Sequence, residues 1–189
     1  MLAAKRVLRY LAGTRTLGLT YRGNDTHTAT VTVECYSDSD WASNPQDRRS
    51  ISGYLACLGG TAIDWHSKRQ PTVALSSAEA EYVAACFAGV EVVWLRRFIG
   101  DIGFTQKKST QLSIDNQSAI AMIGAKGSEE KRKHISVKYH YVKQLAEKGI
   151  LSIKWVKSED NLADIFTKPL GIQPYKSLRN KIMGIQPTS

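Results

Sequence analysis

Two apolar, β-prone runs, ISGYLACL (51–58) and TAIDWH (61–66), are separated only by Gly59-Gly60. A two-residue glycine link marks a tight hairpin, because such turns need positive φ at their central positions. The preceding run ATVTVECY (29–36) alternates and is rich in β-branched residues, which favours a strand. Three antiparallel strands in a row are therefore expected, near 30–37, 51–58 and 61–66. That arrangement needs something to cover at least one face of the sheet.

A long helix follows. Ser76 and Glu79 have capping-box spacing at its start. Val83, Phe87, Val90, Trp94 and Phe98 recur at helical steps and predict an inward stripe. Gly100 and Gly103 end the helix. TQLSI (110–114) predicts a short strand, and 116–123 a second helix. Residues 135–148 predict a helix with Ile135, Val142, Leu145 and Ala146 inward, closed by Gly149. ILSIKWV (150–156) predicts a strand, and 161–168 a last helix stopped before Pro169. At the N-terminus, Ala3, Val7, Leu8 and Leu11 share one helical face and predict a packed amphipathic helix over 2–11. Strands alternating with helices in this order predict an α/β fold: a mixed five-stranded sheet flanked by helices. With no Pro-, Gly- or Ser-rich linker, we expect one domain over 29–170, an N-terminal arm over 1–28 and a C-terminal tail over 171–189.

The chain is basic, with a formal net charge of +9, and the charge is unevenly placed. Residues 126–157 carry nine Lys or Arg against three acids, whereas the segments 31–125 and 158–167 are net acidic. An acidic pocket with basic surroundings suits metal binding beside a phosphate backbone. Cys35, Cys57 and Cys86 lie in apolar runs without CxxC spacing, as buried reduced thiols would, and argue against a zinc site. No run of eighteen apolar residues exists to span a membrane. The basic, Leu-rich N-terminus also mimics a mitochondrial presequence, although a packed helix accounts for the same letters.

Four acids sit where predicted elements begin or end: Asp38 at the end of the first strand, Glu81 in the first turns of the long helix, Asp115 at the tip of the fourth strand and Asp164 at the start of the last helix. Strand tips and helix starts are places where distant segments can converge. Mg²⁺ takes hard oxygen ligands and keeps several waters, so a few carboxylates and a substrate phosphate complete its shell. Two such ions roughly 4 Å apart serve in-line displacement at phosphorus. Each acid also has a mundane reading: Asp38 and Asp40 as turn residues, Glu81 on a solvated face, Asp115 as a helix N-cap, Asp164 as a favourable helix-start charge.

The strings that carry these acids are familiar together. YSDSDWA (36–42), RRSISGYLACLGGTAIDWHSKRQ (48–70), ALSSAEAEYVAA (74–85), IDNQSAI (114–120), KHISVKYHYV (133–142) and LADIFTKPL (162–170) resemble, in order, the blocks of the ribonuclease H domain of copia-type (Ty1/copia) retrotransposon polyproteins. The resemblance covers residues 34 to 170. AAKRVLRYLAGT (3–14) further resembles the end of the reverse transcriptase portion upstream.

The resemblance implies a ribonuclease H-like fold and hydrolysis of the RNA strand of an RNA–DNA hybrid with two Mg²⁺ ions, Mn²⁺ being an alternative. Asp38, Glu81, Asp115 and Asp164 match the four catalytic, metal-holding acids; Glu79 fits the cap instead. It further implies a reverse transcriptase or other Pol segment as partner, and an intracellular setting, either a cytoplasmic virus-like particle or the nucleus. For phosphate contacts, Lys131, Arg132, Lys133 and Lys138 stand out, then Lys68 and Arg69, with Asn116 and Trp41 beside the acids. His134 and His140 lack metal-ligand company and are expected to be structural.

Departures exist. VKSEDNLAD (156–164) lacks the mobile His found before the last Asp in many such enzymes, leaving Glu159 or Asp160 as the available substitutes. Residues 124–131 match less well, and Glu129 and Glu130 interrupt a basic approach. No YxDD-type polymerase motif occurs, which implies a fragment or remnant of a polyprotein. Two other classes compete: a non-catalytic nucleic-acid-binding or structural module of the same fold, and a metal nuclease of the integrase or resolvase type.

Overall fold

The computed structural model of the chain describes residues 2–21, 31–125 and 140–185. Five strands form one sheet: β1 (Val33–Asp40), β2 (Ile51–Leu58), β3 (Thr61–Arg69), β4 (Thr110–Ile114) and β5 (Leu151–Trp155), in the order β3-β2-β1-β4-β5. The first three are antiparallel, and β4 and β5 join in parallel. Gly59 and Gly60 both have positive φ, as the hairpin requires.

One face of the sheet carries α2 (Ser77–Asp101), α3 (Gln117–Gly124) and α4 (Tyr141–Glu147). Val33, Cys35, Tyr54, Ala56, Leu112 and Ile114 meet the buried residues of these helices there. On the other face, Leu55, Cys57 and Ala62 pack with Leu162, Leu178 and Ile182. The parity of β1 and β2 thus feeds two cores at once, as a sheet covered on both sides demands. The fold class is as expected from the sequence.

Four expectations are corrected. The stripe chosen for α2 is its core face only near the start: Val83 is buried and Phe87 packs against the core, but Val90, Trp94 and Phe98 are about half exposed, with Trp94 and Phe98 stacked in the open. The sheet instead receives Ala85, Ala88, Val92, Leu95 and Ile99. Small residues let neighbours approach the helix closely; a Cβ on Gly89 would already stand 3.1 Å from Leu145 Cδ1 of α4 and 3.4 Å from Leu151 Cδ1 of β5. Secondly, α1 (Leu2–Gly13) has no buried residue, so the amphipathic helix forms but does not pack as expected. It meets the body through the edge-to-face pair Tyr10–Tyr175, and in the segment that follows Thr20 N–H donates to Met183 O and Tyr21 OH donates to Ala62 O.

Thirdly, the predicted helix over 161–168 is a 3₁₀ segment, Leu162–Phe166, preceded by another 3₁₀ turn, Ser158–Asp160. Buried Asn161 explains the break, because its side chain donates to Ser37 O (3.0 Å) and accepts from Ala163 N–H (3.2 Å). Fourthly, the stretch expected as a tail forms α5 (Ile172–Ile182), which supplies Leu178 and Ile182 to the second core. The predicted helix over 135–148 is seen from 141; Ile135 and His134 lie outside the described residues.

Gly53 shows how tightly the 3₁₀ segment sits on the sheet. It pairs with Asp38 across β1 and β2, and a Cβ there would meet Thr167 Cγ2 at 2.7 Å and Phe166 Cβ at 3.0 Å. We expect Gly53→Ala to destabilise the fold by about 1–3 kcal/mol through this overpacking. Urea unfolding checks it, and an unchanged midpoint would refute the close packing.

Candidate metal centre

Parallel pairing of β1 with β4 sets Tyr36 opposite Ser113. Two residues further along each strand direction stand Asp38 and Asp115, so the register brings these carboxylates together at one end of the sheet. Ser76 caps α2, accepting from Glu79 N–H at 3.1 Å, while the Glu79 carboxylate accepts from Leu75 N–H at 2.8 Å. With Glu79 engaged at the cap, Glu81 falls on the face toward β1. There its Oε1 accepts from Ser39 N–H (2.9 Å) and Ser39 Oγ–H (3.1 Å).

Asp38, Glu81 and Asp115 each present an oxygen within 4.8 Å of the others, a cluster able to hold a metal ion. Asp38 is fully buried, Glu81 nearly so, and Asp115 half-buried. Asn116, not Asp115, caps α3, accepting from Ala119 N–H at 3.0 Å. That leaves the Asp115 carboxylate for the cluster, where Oδ2 accepts from the Ser158 hydroxyl at 2.6 Å. Glu81 Oε2 is buried and receives no hydrogen bond from the described residues. An orphaned carboxylate oxygen among two other acids is an acceptor awaiting a cation, and hard oxygen donors fit Mg²⁺ or Mn²⁺.

Asp164 lies beside this trio and is tied to it indirectly. The Lys168 ammonium contacts Asp38 Oδ1 at 2.9 Å and Asp164 Oδ1 at 3.1 Å. The Thr167 hydroxyl donates a short hydrogen bond to Asp38 Oδ2. Neither Thr167 nor Lys168 was singled out from the sequence. The available signal was Lys168 four residues after Asp164, a spacing that places the two side chains together on a helical turn.

Burial drives the electrostatics. Glu81 is held well above the usual carboxylate range, first by desolvation and then by the charges of Asp38 and Asp115. Asp164 is pushed up to about 7 by burial and by Asp38, with Lys168 opposing. The Lys168 ammonium is raised despite burial, because Asp38 and Asp164 both favour its charge.

The other candidates are less tightly placed. Lys68 is exposed, whereas Arg69 is already paired with Asp47 at 2.9 Å. Trp41 is half exposed and fixed at its edge, its Nε1–H donating to Ala74 O at 3.1 Å. Asn116 spends its carbonyl oxygen on the α3 cap. Lys131, Arg132, Lys133 and Lys138, like Glu129 and Glu130, lie outside the described residues. Glu159 and Asp160 are exposed and face Lys157 and Lys181 respectively, at 3.8 and 3.1 Å. His140 sits 3.4 Å from the Tyr82 hydroxyl, a structural contact. The three cysteines are buried free thiols, and burial raises Cys57 and Cys86 to about 12. Among the described residues, no helix is long and apolar enough to cross a membrane.

No protein-family model matches the chain. It is 38% identical over 166 residues, 88% of its length, to the Retrovirus-related Pol polyprotein from transposon TNT 1-94 of Nicotiana tabacum, and 33% identical over 180 residues, 95% of its length, to that from transposon RE1 of Arabidopsis thaliana. It spans 12% of the length of each of these relatives. Among solved structures, LC11-RNase H1 in complex with RNA/DNA hybrid aligns with a TM-score of 0.52 at 16% identity, covering 72% of this chain and 94% of that one. At such low identity the likeness concerns the fold.

The raised carboxyls give a pH dependence with a definite sign. Folded protein keeps protons that the unfolded chain, with ordinary carboxyls near 4, would release. Stability from these groups is fully present below that range and is lost as pH rises through about 7. In chelator, the melting temperature should fall by at least about 3 °C between about pH 5 and pH 7.5. Glu81→Gln and Asp164→Asn should flatten the decline, as should added Mg²⁺. Identical pH profiles for wild type and both variants would contradict this electrostatic account.

Proposed function

Because the chain is homologous to a segment of Ty1/copia-type Pol polyproteins and has a ribonuclease H-type fold, we propose that it is a metal-dependent endonuclease hydrolysing the RNA strand of RNA–DNA hybrids. The observation that carries this reading is the convergence of Asp38, Glu81 and Asp115, from three elements far apart in the chain, with one buried oxygen left unsatisfied. The hybrid held by LC11-RNase H1 supports the choice of substrate.

In this reading Asp38, Glu81, Asp115 and Asp164 hold two divalent ions, Mg²⁺ or alternatively Mn²⁺. The chemistry a bound pair supplies is a lowered pKa for the attacking water and charge stabilisation at the leaving oxygen. The protein's own contribution is orientation. Ser39 fixes Glu81 through two hydrogen bonds, Ser158 holds Asp115, and Thr167 holds Asp38. Asn161 bolts the segment bearing Asp164 to β1. Such outer contacts keep carboxylates aimed at a common point despite their mutual repulsion.

For the hybrid, exposed Lys68 and half-exposed Trp41 are assigned to phosphate and sugar, with Arg69 and Asn116 as further contacts. Lys131, Arg132, Lys133 and Lys138 are assigned to phosphate on charge alone. The exposed Leu2, Val7, Leu8 and Leu11 of α1 support contact with a neighbouring Pol segment such as a reverse transcriptase. Buried thiols are in keeping with an intracellular setting.

The test is cleavage of a labelled hybrid in Mg²⁺ by wild type and Asp115→Asn. Losing one ligand charge should cut the rate by about 10²-fold or more while hybrid binding largely persists. Equal, background-level cleavage by both proteins, with binding intact, would favour the non-catalytic module.

A further inference from the structure

The Asp38–Asp164 side of the site already contains a cation. Asp38 is completely buried, and neither of its oxygens is idle: Oδ1 faces the Lys168 ammonium and Oδ2 the Thr167 hydroxyl. Asp164 is nearly buried and gives its Oδ1 to the same ammonium. By contrast, Glu81 Oε2 on the other side of the cluster is unpartnered among the described residues. The carboxylate site is therefore asymmetric. One side is satisfied by a tethered positive charge, and the other is not.

We propose that Lys168 is a resident counter-cation, and that a divalent ion reaching Asp164 must first displace its ammonium. The proposal rests on the metal-holding role given to these acids above. Lys168 is suited to leaving. Its side chain is about one-third exposed and its long stem is flexible. Two buried like charges would repel strongly without it. Lysine thus holds the metal-free protein together at Asp38 and Asp164 and competes with the ion taken there. Divalent ions are then expected to bind in two unequal steps, the weaker one coupled to release of Lys168. Lys168 is a positioning residue in this sense.

Calorimetric titration of Mn²⁺ into wild type, Lys168→Met and Lys168→Arg tests it. Removing the positive charge should tighten the weaker step by about tenfold or more and lower the melting temperature in chelator. Lys168→Arg, which keeps the charge, should leave the weaker step weak. Unchanged or weaker Mn²⁺ binding by Lys168→Met overturns the counter-cation while leaving the metal site itself standing. Absence of Mn²⁺ binding in every protein, at millimolar concentration, overturns both. Should Lys168→Met fail to fold, wild type labelled with ¹³C-lysine gives the answer. The Lys168 Cε resonance should move at the weaker Mg²⁺ step, and a resonance that stays fixed through both steps refutes displacement.

Discussion

Asp38 has no exposed surface, yet both of its carboxylate oxygens are engaged from the far end of the chain, one by Lys168 and the other by Thr167. A charge removed from water costs several kcal/mol unless it is paired and hydrogen-bonded. These contacts offset that cost, and they also join β1 to the segment that follows β5. Asn161, donating to Ser37 O next door, draws the same segment onto the same strand. Gly53 completes the arrangement on β2, where its lack of a Cβ lets Thr167 and Phe166 approach. The acid at the end of the first strand is therefore both a centre of the site and an anchor for the segment that follows β5.

The cluster is built by register. Parallel pairing of β1 and β4 aligns Asp38 with Asp115, and the capped start of α2 hands Glu81 to Ser39. Each acid is then fixed by a neighbour that contributes a donor: Ser39, Ser158, Thr167 or Lys168. Those donors limit carboxylate motion without supplying enough positive charge to neutralise three close acids. Burial first, and then this uncompensated charge, raises the protonation of Glu81 and Asp164. A divalent ion would compensate that charge, which links folding, proton uptake and metal binding in one place.

Outside the site, among the described residues, apolar side chains face solvent on α1, with Val7, Leu8 and Leu11, and on the α2 flank, with Val90, Trp94 and Phe98. Periodicity identified both as helical and amphipathic. It misassigned what they cover, because hydropathy favours the largest side chains. The buried stripe of α2 is chosen by fit: Ala85 and Ala88 are fully buried, and Gly89 admits Leu145 of α4 and Leu151 of β5.

The amino-acid order alone determined a good deal. Gly59-Gly60 forced the hairpin, alternation set the strand faces, Ser76 and Glu79 fixed where α2 begins, and the four acids at element edges were visible as candidates. These are local matters, settled by backbone sterics, capping and period. Tertiary structure decided which acids meet, that Asn116 rather than Asp115 caps α3, and that a 3₁₀ segment replaces a helix at Leu162–Phe166. It also brought Lys168 between Asp38 and Asp164, residues 130 and 4 positions away in the chain. Side-chain pairing across such separations depends on strand register and on how closely packed layers approach, and neither is written in any short window of sequence.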